Sequence, residues 1–244
     1  MKKIKLFSTI VVSVLFSLQL SFALTQSEIE KANRAGKAVF LVVNDNFTKT
    51  ADIMPTVNEA AKELKNISVF EVNRSDVKSK EIIEKYKLST IPVPAVITIS
   101  QSGVVASALY NPNITKENLK NSVPSPKQSD MLKKLSNGKA VLLVISDKNF
   151  TDRKAFMDEC NKCITESNGK AEIVEVKISD KAEQSLIKKL AIDPKTTASR
   201  VIVYNSKGQL NGVFGADVSS SELGVAINKV AGGCCPGKKK CGSK

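Results

Sequence analysis

Two unbroken apolar runs, Ala38–Val43 and Ala140–Ile145, interrupt a chain otherwise patterned by alternation. Aliphatic and β-branched runs this short, closed by Asn44-Asp45-Asn46 and by Ser146-Asp147-Lys148-Asn149, predict strands buried on both faces. Helical patterns precede them, Ser27 to Ala35 and Ser129 to Leu135. Long amphipathic patterns follow, running to about Leu64 and Glu166. In the first of these Met54, Val57, Ala61 and Leu64 fall at steps of three and four. Second strands are predicted at Val69–Asn73 and Ile173–Ile178, then helices at Lys78–Tyr86 and Ala182–Leu190. Hairpins close each series: Ala95–Ser100 with Val104–Leu109, and Arg200–Tyr204 with Gly212–Gly215. Their turns carry Gln101-Ser102-Gly103 and Asn205-Ser206-Lys207-Gly208. Last helices are expected at Lys116–Asn121 and Ser221–Val230.

The two series are copies. Gly36-Lys37-Ala38-Val39 returns as Gly138-Lys139-Ala140-Val141, Asn46-Phe47-Thr48 as Asn149-Phe150-Thr151, and Glu71-Val72 with Ser75-Asp76 as Glu175-Val176 with Ser179-Asp180. A repeat this long is a domain. Each copy is therefore a control for the other: what one copy lacks, the fold does not require. The expected fold class is α/β, each copy a small mixed sheet with helices on both faces. The division reads as 1–23 leader, 24–122 first domain, 123–127 linker, 128–231 second domain and 232–244 a cysteine- and lysine-rich tail. Ser122-Val123-Pro124-Ser125-Pro126-Lys127 reads as an extended, semi-rigid linker.

Residues 1–23 read as an export signal: Lys2, Lys3 and Lys5, an apolar run from Ile10 to Leu20, and Ser21-Phe22-Ala23 before the cut. The run is shorter than the ~20 residues of a membrane span. The expectation is an exported protein, periplasmic or extracellular, with no stable membrane insertion. The formal charge is +13, three units of which belong to the leader lysines. The remaining lysines alternate with Glu and Asp, Trp is absent, and no base-stacking platform is visible, so nucleic acid is not an expected partner. The chain has no histidine, which removes Ser/His, Cys/His and His-containing metal chemistry.

The segment Tyr86-Lys87-Leu88-Ser89-Thr90-Ile91-Pro92-Val93-Pro94-Ala95-Val96-Ile97-Thr98-Ile99 resembles the helix, turn, cis-proline and strand of the thioredoxin-like fold. Pro94 has the family's interval to Gly103, whereas Pro92 matches better when counted from Tyr86; both remain open. The resemblance covers both copies. It implies a redox pair at the start of the long helix, where the helix terminus lowers a thiol pKa. Phe47-Thr48-Lys49-Thr50 and Phe150-Thr151-Asp152-Arg153 stand there instead, and Ser199 replaces the proline in the second copy. The chain is similar in this to the redox-inactive domains of protein disulfide isomerases. What the resemblance implies is a non-catalytic module that binds a protein or peptide at Phe47, Thr48, Val93 and Pro94, with no cofactor.

Five cysteines keep other readings open. Cys160 and Cys163 fall on Val57 and Ala60 of the first copy, which suits core packing, while their spacing also allows a bridge or a reactive pair. Cys234, Cys235 and Cys241 flank three lysines that favour thiolate. Together these five are the candidates for a thiol–disulfide oxidoreductase. The three tail thiols are the candidates for a Cu(I) or Zn(II) site.

Overall fold

The computed structural model describes residues 24–230. The expected leader and the tail bearing Cys234, Cys235 and Cys241 lie outside the described residues.

The first half runs α1 (Gln26–Arg34), β1 (Ala38–Asn44), α2 (Met54–Leu64), β2 (Ile67–Asn73), α3 (Lys80–Tyr86), β3 (Ala95–Ile99), β4 (Val105–Tyr110), α4 (Lys116–Ser122). The second repeats it as α5 (Pro126–Ser136), β5 (Ala140–Ser146), α6 (Arg153–Glu166), β6 (Ala171–Lys177), α7 (Gln184–Lys189), β7 (Arg200–Tyr204), β8 (Leu210–Phe214), α8 (Ser220–Asn228). Each half is a four-stranded mixed sheet, ordered β2-β1-β3-β4 and β6-β5-β7-β8. The central strands β1 and β5 pair in parallel with β2 and β6, and antiparallel with β3 and β7.

Alternation along the central strand assigns the two faces. Val39, Leu41 and Val43 pack with Ile29 of α1 and Ile82 and Ile83 of α3. Phe40 and Val42 pack with Val57 and Ala60 of α2 and Leu119 of α4. In the second half Val141, Leu143 and Ile145 meet Met131, Leu186 and Ile187. Leu142 and Val144 meet Phe156, Cys160 and Cys163 of α6 and Leu223 and Ile227 of α8.

Several boundaries depart from the sequence pattern, β6 among them, which starts at Ala171 rather than Ile173. β2 starts at Ile67, before the expected Val69, because its ladder follows β1 for the full seven residues from the Ala38–Ile67 pair. β8 starts at Leu210 rather than Gly212, a register shift at Val203/Tyr204 re-aiming it. The expected linker is partly helix: α5 begins at Pro126, with Ser125 as its N-cap accepting from the Gln128 N–H. Proline in the first turn loses no hydrogen bond and is pre-set in φ, so Pro126-Lys127 starts a helix rather than extending a linker.

The joint between the halves is consequently short and anchored. Glu183, 1% exposed, accepts from the Ser125 hydroxyl (2.5 Å) and the Lys127 N–H (2.9 Å). The Ser102 hydroxyl in the first hairpin turn donates to the Ser129 carbonyl of α5 (2.9 Å), and Lys189 donates to the Asn121 carbonyl (2.8 Å).

Phe40 is fully buried in the first half only. Phe40→Ala is expected to destabilise that half by about 3–5 kcal/mol. Hydrogen exchange should then accelerate in β1–β4 and α1–α4 while β5–β8 keep their protection. Equal acceleration in both sheets would contradict separate cores.

Candidate functional site

β1 ends at Asn44, and the chain then crosses the carboxyl end of the sheet before α2. Asp45 organises this crossing. Its Oδ1 accepts from the Thr48 hydroxyl (2.7 Å) and the Phe47 N–H (3.0 Å), and its Oδ2 pairs with Arg74 (2.9 Å). The Thr48 hydrogen bond first, then those from Phe47 and Arg74, hold the Asp45 carboxyl below its ordinary pKa against the opposing effect of burial. The other arm of the Arg74 guanidinium donates to the Ile91 carbonyl (2.7 Å). One planar side chain thereby ties the loop after β1 to the loop before β3, a task suited to the rigid fork of arginine. Asn73 donates to Asn46 (3.0 Å), fixing the same loop to the end of β2.

The loop before β3 contains a cis peptide bond between Val93 and Pro94. Pro94, not Pro92, is thus the cis-proline at the strand entrance. Val93 and Pro94 are half-buried and Pro92 is exposed. Neither the N–H nor the carbonyl of Val93 has a hydrogen-bond partner among the described residues. Phe47 projects into solvent at 94% exposure. No hydrogen bond joins Phe47 or Thr48 directly to Val93; Asp45 and Arg74 connect the two loops.

The second half closes the matching place. The N–H of Ile178 donates to Ser146 as that of Arg74 does to Asn44, so Ile178 stands where Arg74 stands. Ile178 is buried, and Phe150, the counterpart of Phe47, packs onto the same cluster. Ser199 occupies the position of Pro94, one residue before β7. It is fully buried and donates both its N–H (2.8 Å) and its hydroxyl (3.0 Å) to the Asp152 carboxylate at the start of α6. An aliphatic side chain in place of the guanidinium gives the phenyl ring an apolar bed, and the serine bonds tie the loop before β7 to the start of α6.

Cys160 and Cys163 lie in the middle of α6, at 0% and 1% exposure, against Phe156, Leu223 and Ile227. Both are free thiols. Burial pushes the Cys160 thiol up to about 12, with repulsion from Cys163 and Glu159 adding to it. Burial first, then Glu166, also raises Cys163. A thiol so placed is a core residue, the opposite of an activated nucleophile. Among the described residues no group of three metal-ligating side chains forms, and no helix is long and apolar enough to cross a membrane.

Both halves are thioredoxin-like domains. That description rests on the strand order the two share; the cis-proline at the β3 entrance belongs to the first alone. No protein-family model and no curated protein matches the sequence. Among solved structures, the first two thioredoxin domains of Naumovozyma dairenensis Eps1p align with 88% of this chain and 99% of that one, at 12% identity and a TM-score of 0.33. The zinc-bound form of human ERp44 aligns with 84% of this chain at 10% identity and a TM-score of 0.37, and full-length ERdj5 with 84% at 13% and 0.31. The chain spans 57% of the ERp44 chain and 31% of the ERdj5 chain.

Sequence reasoning missed Val77. It is 85% exposed just after β2, at the same end of the sheet as Phe47. It also missed the Asp45–Arg74–Ile91 bridge, although the exchange of Arg74 for Ile178 between copies was the available signal.

A variant with Cys234, Cys235 and Cys241 changed to Ser should show no thiol reactive to Ellman's reagent at pH 7.5 when folded, and two on denaturation. The raised Cys160 value stabilises the fold fully below the ordinary thiol pKa of 9.0 and loses that contribution as pH climbs toward about 12. Changing Cys160 to Ala should flatten stability over that window. Rapid labelling of the native variant at neutral pH would contradict the burial.

Proposed function

We propose that the first domain is a non-catalytic polypeptide-binding module of an exported protein, and that the second supports it. The observation that carries this reading is Phe47: an aromatic ring 94% exposed on a loop pinned by Asp45 and Arg74. A large apolar side chain held rigidly in solvent suits an anchor, since aromatic anchors dominate binding energy at protein interfaces. The unpartnered main-chain groups of Val93 add a place where an extended segment can hydrogen-bond. Val77 is a second exposed apolar side chain at the same end of the sheet. A thiol mechanism through Cys160 and Cys163 finds no support in their burial and raised pKa values. Export is inferred from the basic start and apolar run of residues 1–23.

The test is fluorescence anisotropy at 150 mM salt with carbamidomethylated, permanently unfolded α-lactalbumin as the probe. Phe47→Ala combined with Val93→Asp should weaken binding at least tenfold, since burying a phenyl ring is worth about 1.5–3 kcal/mol. Arg74→Ile should weaken it too, by freeing the loop and letting Phe47 fold inward as Phe150 does. A chain without cysteines should bind as the parent does. Unchanged affinity in the Phe47/Val93 double variant would refute the reading; loss of binding in the cysteine-free chain would favour thiol chemistry.

A further inference from the structure

The outer edge of the second domain carries a surface that the first domain lacks. α8 and its C-cap present Glu222, Val225 and Lys229 at positions i, i+3 and i+7, along one side of the helix. Val225 is 69% exposed at the centre of that face. Beside it a groove of about 310 Å³ runs between α8 and β8, lined by Phe214, Asn211 and Ala226 as well as the three face residues. β8 is an edge strand, and its Leu210 and Val213 are each 58% exposed.

The internal copy shows that none of this is a requirement of the fold. The N-caps Thr115 and Ser219 align α4 with α8. Asn118, Lys120 and Asn121 then stand where α8 has Glu222, Gly224 and Val225. On β4, Val105 and Ala108 stand where β8 has Leu210 and Val213.

The charges name that helix. Lys229 makes no ion pair among the described residues. Glu222 uses one carboxylate oxygen on the Ser219 N–H and hydroxyl, leaving the other without a partner among the described residues. A face that reads acid, apolar, base is its own complement when turned end for end. Around a two-fold axis through Val225, each Glu222 meets Lys229 of the other copy while the two Val225 side chains meet at the centre. We propose that α8 is a homodimer interface, docking antiparallel on α8 of a second copy of this chain. Closed two-fold pairing of one patch with itself is the commonest route to a soluble oligomer. A nine-residue helix is only about 13 Å long, so the contact is small and the dimer weak, in the micromolar range or above.

Sedimentation equilibrium of the full chain, with reductant present to exclude links through the tail thiols, tests this from about 10 to 500 µM. The parent should shift from one to two chain masses across that range. Val225→Arg should raise the dissociation constant at least tenfold. Lys229→Glu leaves the Ser219–Glu222 capping box untouched and should also weaken the dimer, by setting acid against acid. Adding Glu222→Lys to it should restore association, a rescue that damage to the helix could not produce. A parent that stays monomeric at 500 µM, or a Val225→Arg variant that dimerises like the parent, overturns the proposal.

Discussion

A strand with no solvent on either face must satisfy its main chain sideways and its side chains above and below. β1 and β5 are in that position, and the rest of each domain answers it. Neighbouring strands on both sides complete their hydrogen bonds, and helices cover both faces. The even residues of β1 face α2 and α4, and the odd ones face α1 and α3. Because the parallel neighbour is reached only through a crossover helix, the chain must leave each central strand through a loop at its carboxyl end. That loop is free of core duty, and in the first domain it carries Phe47.

The divergence of the two copies is concentrated at that end. Where Arg74 forks between Asp45 and the Ile91 carbonyl, the phenylalanine of the loop points outward; where Ile178 replaces it, the phenylalanine packs down. Where Pro94 stands, the main-chain groups of Val93 have no partner among the described residues. Where Ser199 stands, it donates twice to Asp152. The cores meanwhile remain interchangeable in kind: Val57 and Ala60 on one side, Cys160 and Cys163 on the other, all buried.

The fold was legible because its signals are local and strong. Six consecutive apolar residues cannot be a surface segment, and the repetition of Gly-Lys-Ala-Val and Asn-Phe-Thr made each prediction twice. The alignment of Cys160 with Val57 likewise marks those thiols as core candidates. What escaped reading depends on meetings between distant residues. Arg74 contacts partners 29 and 17 positions away, and Ser199 reaches back 47 residues to Asp152. No window of sequence contains both ends of such contacts. Pro126 escaped for the opposite reason: the same Ser-Pro pair that marks an extended segment also opens a helix, and only the N-cap bond of Ser125 decides between them.

The buried carboxylate of Glu183 has a consequence for how the two halves share mechanical load. Tandem domains strung on a loose tether tumble separately, and whatever grasps one of them must still arrest the other. Here the tether is clamped at Ser125 and Lys127, and braced by Ser102 against Ser129. The two copies thus meet at a braced joint rather than at a free swivel.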